Sequence, residues 1–284
     1  MNFKQPKWYL ALIIYFCFLS NHVIAQLSEG EVVPPMKENS YSKISIGLEI
    51  GYNENFLLTN VSDLISTEYT SKSGSSIGVP IVYTANDWFS IEANPSLIEK
   101  NYSMKRTGYY TGVYRDTKNT YLQVPLIGQF SFGGKKLKGY LDLGVYAAYW
   151  SNSQITGAMP NILNQPQYGT YINNSNTFSS TIFQDYNAYN YDQPYQFNST
   201  VDNRLELGVI IGGGLSYQIR ENGKIFIETK YFDATTDQQK NYQQGLVPKY
   251  NETYTFSVGY LYRLKKKVHT KITKRIQLDS SSTN

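Results

Sequence analysis

Eight ionisable residues, Glu49, Glu92, Asp142, Arg204, Glu206, Glu228, Lys230 and Arg263, are the groups in this sequence best placed for acid–base work or ion binding. Two carboxylates such as Glu206 and Glu228 can in principle divide the roles of general acid and general base. Arg204 and Lys230 each stand two positions away from one of them, so the simpler reading is ion pairs that fill space. Nucleophilic chemistry is poorly supplied. The single cysteine, Cys17, lies in an apolar N-terminal run; His22 closely follows that run, and His269 is near the C-terminus. Acyl transfer generally needs a base beside a nucleophile, and residues 26 to 264 contain neither His nor Cys. No phosphate loop or His-Cys metal set occurs, and Gly212-Gly213-Gly214 reads as room for close packing or a kink. No enzyme activity, cofactor or metal is therefore expected.

The elements that must carry these residues are strands. From Thr253 to Leu264, Tyr254, Phe256, Val258, Tyr260, Tyr262 and Leu264 share one face; Thr255, Ser257, Gly259, Leu261 and Arg263 share the other. Alternate side chains of a strand point to opposite sides, so one face is aromatic and apolar and the other small and mostly polar. Seven earlier segments repeat the pattern, beginning near Lys43, Gly74, Trp88, Thr117, Lys138, Asp202 and Lys224, and all eight ionisable residues fall in the polar phase. An Arg or Lys on the lipid face of a membrane barrel costs about 2–4 kcal/mol near the midplane, so a bilayer enforces a shared phase of this kind. The polar phase is therefore assigned to a lumen, where opposite charges pair and no wide channel is expected.

Short turns at Asn86-Asp87, Gly133 to Lys136 and Glu221-Asn222-Gly223 alternate with long connections. In the last turn, Asn-Gly suits the positive φ of a primed hairpin. The fold class expected is all-β: an eight-stranded antiparallel up-and-down transmembrane β-barrel with short periplasmic turns, long extracellular loops and both termini periplasmic. Tyr52, Tyr83, Trp88, Tyr149, Trp150, Tyr217, Tyr231 and Tyr262 fall near strand ends and suit two aromatic girdles. Pro80, Pro95 and Pro125 each remove a ladder donor, so bulges or breaks are expected there.

Residues 1–25 read as a cleaved export signal, with Lys4 and Lys7, an apolar run from Trp8 to Leu19 and Val23-Ile24-Ala25 before the break. That run is too short for a membrane helix, which needs about 20 apolar residues. Residues 26–42 form a periplasmic lead-in, 43–264 the barrel and 265–284 a basic periplasmic tail. Of the net +4, the signal carries +2 and the tail +5, which leaves residues 26 to 264 at about −3 and argues against nucleic acid as a partner. The expected partner is outer-membrane lipid. The tail, opening with Lys265-Lys266-Lys267, suits a periplasmic protein or anionic wall polymer. Residues 152–201 form a long loop rich in amides, where Tyr168, Tyr171, Tyr186, Tyr189, Tyr191 and Tyr195 suit an extracellular ligand such as a sugar or peptide; a solvated loop shielding the mouth is the plain alternative.

Several motifs carry a resemblance: Tyr121-Leu122-Gln123-Val124-Pro125-Leu126, Leu215-Ser216-Tyr217, the run from Gly223 to Tyr231, and Ser257 to Leu264. With these the chain resembles the outer-membrane β-barrel family of Bacteroidetes-type bacteria that includes the PorT-like proteins, over about Lys43 to Leu264 without the 152–201 loop. The resemblance implies an eight-stranded barrel but no shared activity; some relatives serve protein secretion. Three functions follow as expectations: a non-enzymatic surface-binding barrel, a periplasm-facing secretion or assembly factor, or a secreted lipocalin-like carrier with its apolar face inside.

Overall fold

The computed structural model describes residues 41–59, 66–108, 111–160, 188–240 and 247–265. The segments read as an export signal and most of the lead-in and tail lie outside them. The described residues form twelve strands rather than eight: β1 (Tyr41–Thr59), β2 (Thr67–Gly78), β3 (Ile81–Thr84), β4 (Phe89–Ala93), β5 (Ser96–Glu99), β6 (Tyr102–Arg106), β7 (Tyr114–Gly133), β8 (Leu137–Pro160), β9 (Ala188–Pro194), β10 (Leu205–Arg220), β11 (Gly223–Ala234) and β12 (Lys249–Lys265). The excess comes from interruptions. Strands β2 and β3 pair in succession along β1, strands β4, β5 and β6 along β7, and strands β9 and β10 along β8. The wall therefore has eight positions, every pairing is antiparallel, and β1 with β12 closes the cylinder.

Prolines set two of the interruptions. Pro80 separates β2 from β3 and Pro95 separates β4 from β5, as a missing ladder donor should. Pro125 does not break β7. Its carbonyl accepts the Asn94 amide, so its own missing donor faces the gap that Pro95 has already opened. Pro80 and Pro95 likewise accept from Gly47 and Val79 without donating in return. Three adjacent wall positions thus share one thin level.

The turns hold a second departure. Neither Asn222 nor Gly223 adopts positive φ. Pairing instead slips by one residue between Gln218 and Arg220, and this bulge supplies the local twist that a primed turn would otherwise provide. A Cβ on Gly223 would meet the Tyr260 hydroxyl, so that ring would have to shift.

The faces agree with the period-two reading. Ile46, Leu48 and Ile50 on β1, Leu122 to Leu126 in steps of two on β7 and Val258 on β12 all point outward and are exposed, Leu48 at 54%. Glu49, Asn53, Gln123, Asp142, Glu228 and Ser257 point inward and are buried. A lipocalin-like carrier needs the reverse arrangement, so that alternative falls. Trp150, expected in a girdle, is 5% exposed and faces inward; its phase is that of Tyr146 and Ala148. Exposed Trp88 stacks on Phe130 near one end of the wall, and Tyr231 packs on exposed Tyr254 towards the other.

Candidate functional site

The inward face builds two buried tiers. In the lower one, Lys230 of β11 is surrounded by three carboxylates from three wall positions: Glu92 at 3.3 Å, Glu49 at 4.0 Å and the neighbouring in-phase Glu228. Their carboxylate oxygens lie within 4.8 Å of one another, so the ammonium holds together groups that would otherwise repel. Neutral donors complete the shell: Asn94 donates to Glu49, Tyr140 to Glu228 at 3.1 Å and Ser257 to Glu228 at 3.2 Å. Asp142 faces the same tier and accepts from Gln129 at 3.3 Å.

The upper tier centres on a lysine that is not among the eight charged residues expected in the lumen. Lys100 is fully buried and donates to Glu206 at 2.5 Å, with its ammonium 4.7 Å from the centre of the Tyr146 ring and 5.2 Å from that of Tyr121. Tyr146 and Asn251 also donate to Glu206. The period-two phase running from Glu92 through Asn94, Ser96 and Ile98 reaches Lys100, and that was the available signal.

Six of the eight charged residues expected in the lumen, Glu49, Glu92, Asp142, Glu206, Glu228 and Lys230, are brought into these tiers. Arg204 is not, and it does not pair with Glu206. It precedes β10 and donates to the carbonyls of Trp150 at 2.9 Å and Ser151 at 3.1 Å, with its guanidinium over Tyr149 and Phe197. The cause is a register shift in the pairing of β7 with β8 next to Ser151, which leaves carbonyls there to be satisfied. Arg263 keeps the inward phase but sits near the Asn222 turn, away from both tiers. Between the tiers, a space of ≈ 20 Å³ beside Lys230 and Gln123 has room for about one water and for no larger solute.

Above the upper tier the barrel opens. The 152–201 segment is not all loop: β8 runs to Pro160 and β9 pairs back on it from Gln154 to Pro160. Tyr189 is exposed on β9, Tyr191 is half-buried and its ring lies against Gly157, and Tyr168, Tyr171 and Tyr186 lie outside the described residues. Tyr195 stacks on Trp150 at 5.7 Å, and Trp150 stacks on Tyr121 at 6.0 Å, forming a ring column over the plug. Beside this column is a cavity of ≈ 270 Å³ that also reaches Arg115 of β7, Lys249 of β12, Asp202 and Gln239. Tyr195 donates to Asp202 at 2.9 Å; burial and that bond push its phenol up to about 12. Burial and the nearby Arg115 charge hold the Lys249 ammonium down to about 8, against a weaker opposing pull from Asp237 and Asp202.

A closed antiparallel cylinder with an apolar exterior and a polar interior whose buried charges are mostly ion-paired is an outer-membrane β-barrel. The chain belongs to the family described as the outer membrane protein beta-barrel domain, which matches residues 24–237. Among solved structures it is similar to Neisserial surface protein A, with 11% identity, 78% of this chain and 98% of that chain covered and a TM-score of 0.40. It is also similar to OprG from Pseudomonas aeruginosa, with 12% identity, 80% and 98% covered and a TM-score of 0.43. A third likeness is to the attachment invasion locus protein Ail of Yersinia pestis, with 11% identity, 78% and 98% covered and a TM-score of 0.38. No curated protein matches the sequence.

Proposed function

We propose that this protein is a non-conducting, non-enzymatic outer-membrane barrel that works as a surface-binding protein through the structure at its open mouth. The supporting observation is the contrast between the two halves of the interior. Ion pairs and their neutral donors fill the lower part, whereas the upper part widens into a cavity bordered by aromatic side chains. The short turns at Asn86, Gly134 and Asn222 and both chain ends are assigned to the periplasm, with the β8–β9 hairpin outside. Two measurements test the reading. Purified protein in planar bilayers is expected to give no steady conductance. Cells in which a short linker replaces residues 161–187, and Ser replaces Tyr189 and Tyr191, are expected to lose binding to carbohydrate or peptide arrays. Steady channels, or unchanged array binding, would refute it.

The finer resemblance to PorT-like, Bacteroidetes-type barrels supports a second reading, a periplasm-facing secretion or assembly factor that docks a partner or wall polymer through residues 265–284. The basic run Lys265-Lys266-Lys267 motivates it. A photocrosslinker at residue 271 that captured neither protein nor wall material would remove this reading.

A further inference from the structure

The mouth cavity holds two cations that, among the described residues, form no ion pair, although Asp202 shares its lining. Arg115 comes from β7 and Lys249 from β12, which are not neighbours in the wall, and both line the same cavity. The buried Nε of Arg115 and Oε1 of Gln239 have no hydrogen-bond partner. Two acids stand nearby, held by neutral donors and in ion-pair contact with neither cation, and the second oxygen of Asp237 is buried without a partner. Asp202 accepts from the Tyr195 hydroxyl and from the Asn198 amide at 2.7 Å, and one oxygen of Asp237 accepts the amides of Gln239 and Lys249. Two like charges converge at a cost unless something anionic lies between them, and an unpaired guanidinium donor is itself unfavourable.

Resting on the surface-binding reading above, we infer that this cavity binds one acidic sugar unit, its carboxylate between Arg115 and Lys249 and its ring against Tyr195 and the edge of Trp150. The size fits a single small unit, since ligand pockets start at roughly 300 Å³ and this one is ≈ 270 Å³. A bare anion would use the cations but leave the aromatic wall and the Gln239 acceptor idle. A neutral sugar would leave the cations unpaired. A hexuronate uses both, with hydroxyls as donors to Gln239 and C–H groups against Tyr195 and the Trp150 edge.

The test is calorimetric titration of the full-length protein, refolded in detergent, with sodium D-glucuronate, D-glucose, sodium acetate and sodium phosphate at pH 7. Glucuronate should bind at least tenfold more tightly than glucose, acetate or phosphate, and Arg115→Gln or Lys249→Gln should each weaken it at least tenfold. Equal affinity for glucose, or for acetate or phosphate, overturns the inference, as do variants that bind glucuronate normally. Should a variant fail to fold, the unaltered protein still decides: glucuronate must slow acetylation of Lys249 severalfold, read by mass spectrometry, and an unchanged rate overturns the proposal. Failed titration with intact mouth-dependent array binding sinks this inference alone. Loss of the array result leaves the titration to stand or fall by itself.

Discussion

Removing the central ammonium of the lower tier, as Lys230→Met, should be among the most damaging single substitutions in the barrel. Glu49, Glu92 and Glu228 would then face one another across no more than 4.8 Å with no cation between them. At an effective dielectric of about 20, two unit charges at that separation repel by about 3.5 kcal/mol. Stripping one partner from a buried pair typically costs about 3–5 kcal/mol. Asn94, Tyr140 and Ser257 would still solvate two of the acids, so a loss of about 3 kcal/mol is expected. The assay is urea unfolding in detergent micelles, read by the mobility of unheated protein on gels and by tryptophan fluorescence. Adding Glu49→Gln and Glu92→Gln to the same variant should restore more than about 1 kcal/mol, because the repelling charges are then gone. Arg263→Met, away from both tiers, should change stability by less than about 0.5 kcal/mol. If Lys230→Met lost less than about 1 kcal/mol, the three acids could not be held by this ammonium and the lumen assignment would be wrong.

Three further outcomes follow. Val124→Arg places a charge on the outward face, next to the proline level, and should cost about 2–4 kcal/mol in lipid vesicles; a neutral result would mean that this face does not meet hydrocarbon. A Cβ at Gly208 would collide with the Tyr146 ring and the Asp233 carbonyl, so Gly208→Val should lower stability by about 1–3 kcal/mol, seen as an earlier urea midpoint. Glucuronate affinity should fall severalfold between pH 7 and 9. Lys249 carries its charge below about 8 and loses it above, and a neutral amine no longer attracts the carboxylate; titrations of Lys249→Gln should be flat over the same range.

Much of the wall was legible because a cylinder with lipid outside repeats one rule at every residue. Glu49, Glu92, Asp142, Glu206, Glu228 and Lys230 share a phase, and that phase is the interior. Breaks at Pro80 and Pro95 follow from a missing donor, but the continuity of β7 through Pro125 depends on which neighbour that donor would have faced, a property of register. The same limit explains Arg204 and Trp150. Phase alone puts both inside, and Trp150 does go there, whereas Arg204 is drawn away by carbonyls freed near Ser151. Lys100 was hidden because Lys100-Asn101 reads as the start of a polar loop, although the alternation continued through it. The mouth cavity could not be read at all: Arg115 and Lys249 are far apart in the chain and meet only across the closed cylinder.

The uneven height of the wall bears on how the cylinder sits in its membrane. Strands β7 and β8 run for 20 and 24 residues, and β1 and β12, across the cylinder from them, for 19 and 17, while β11 stops after 12. Crossing a bilayer takes about 9–11 residues of tilted strand, so the long strands carry part of their length beyond the hydrocarbon, whereas β11, with almost none to spare, sets the depth at which the barrel rides.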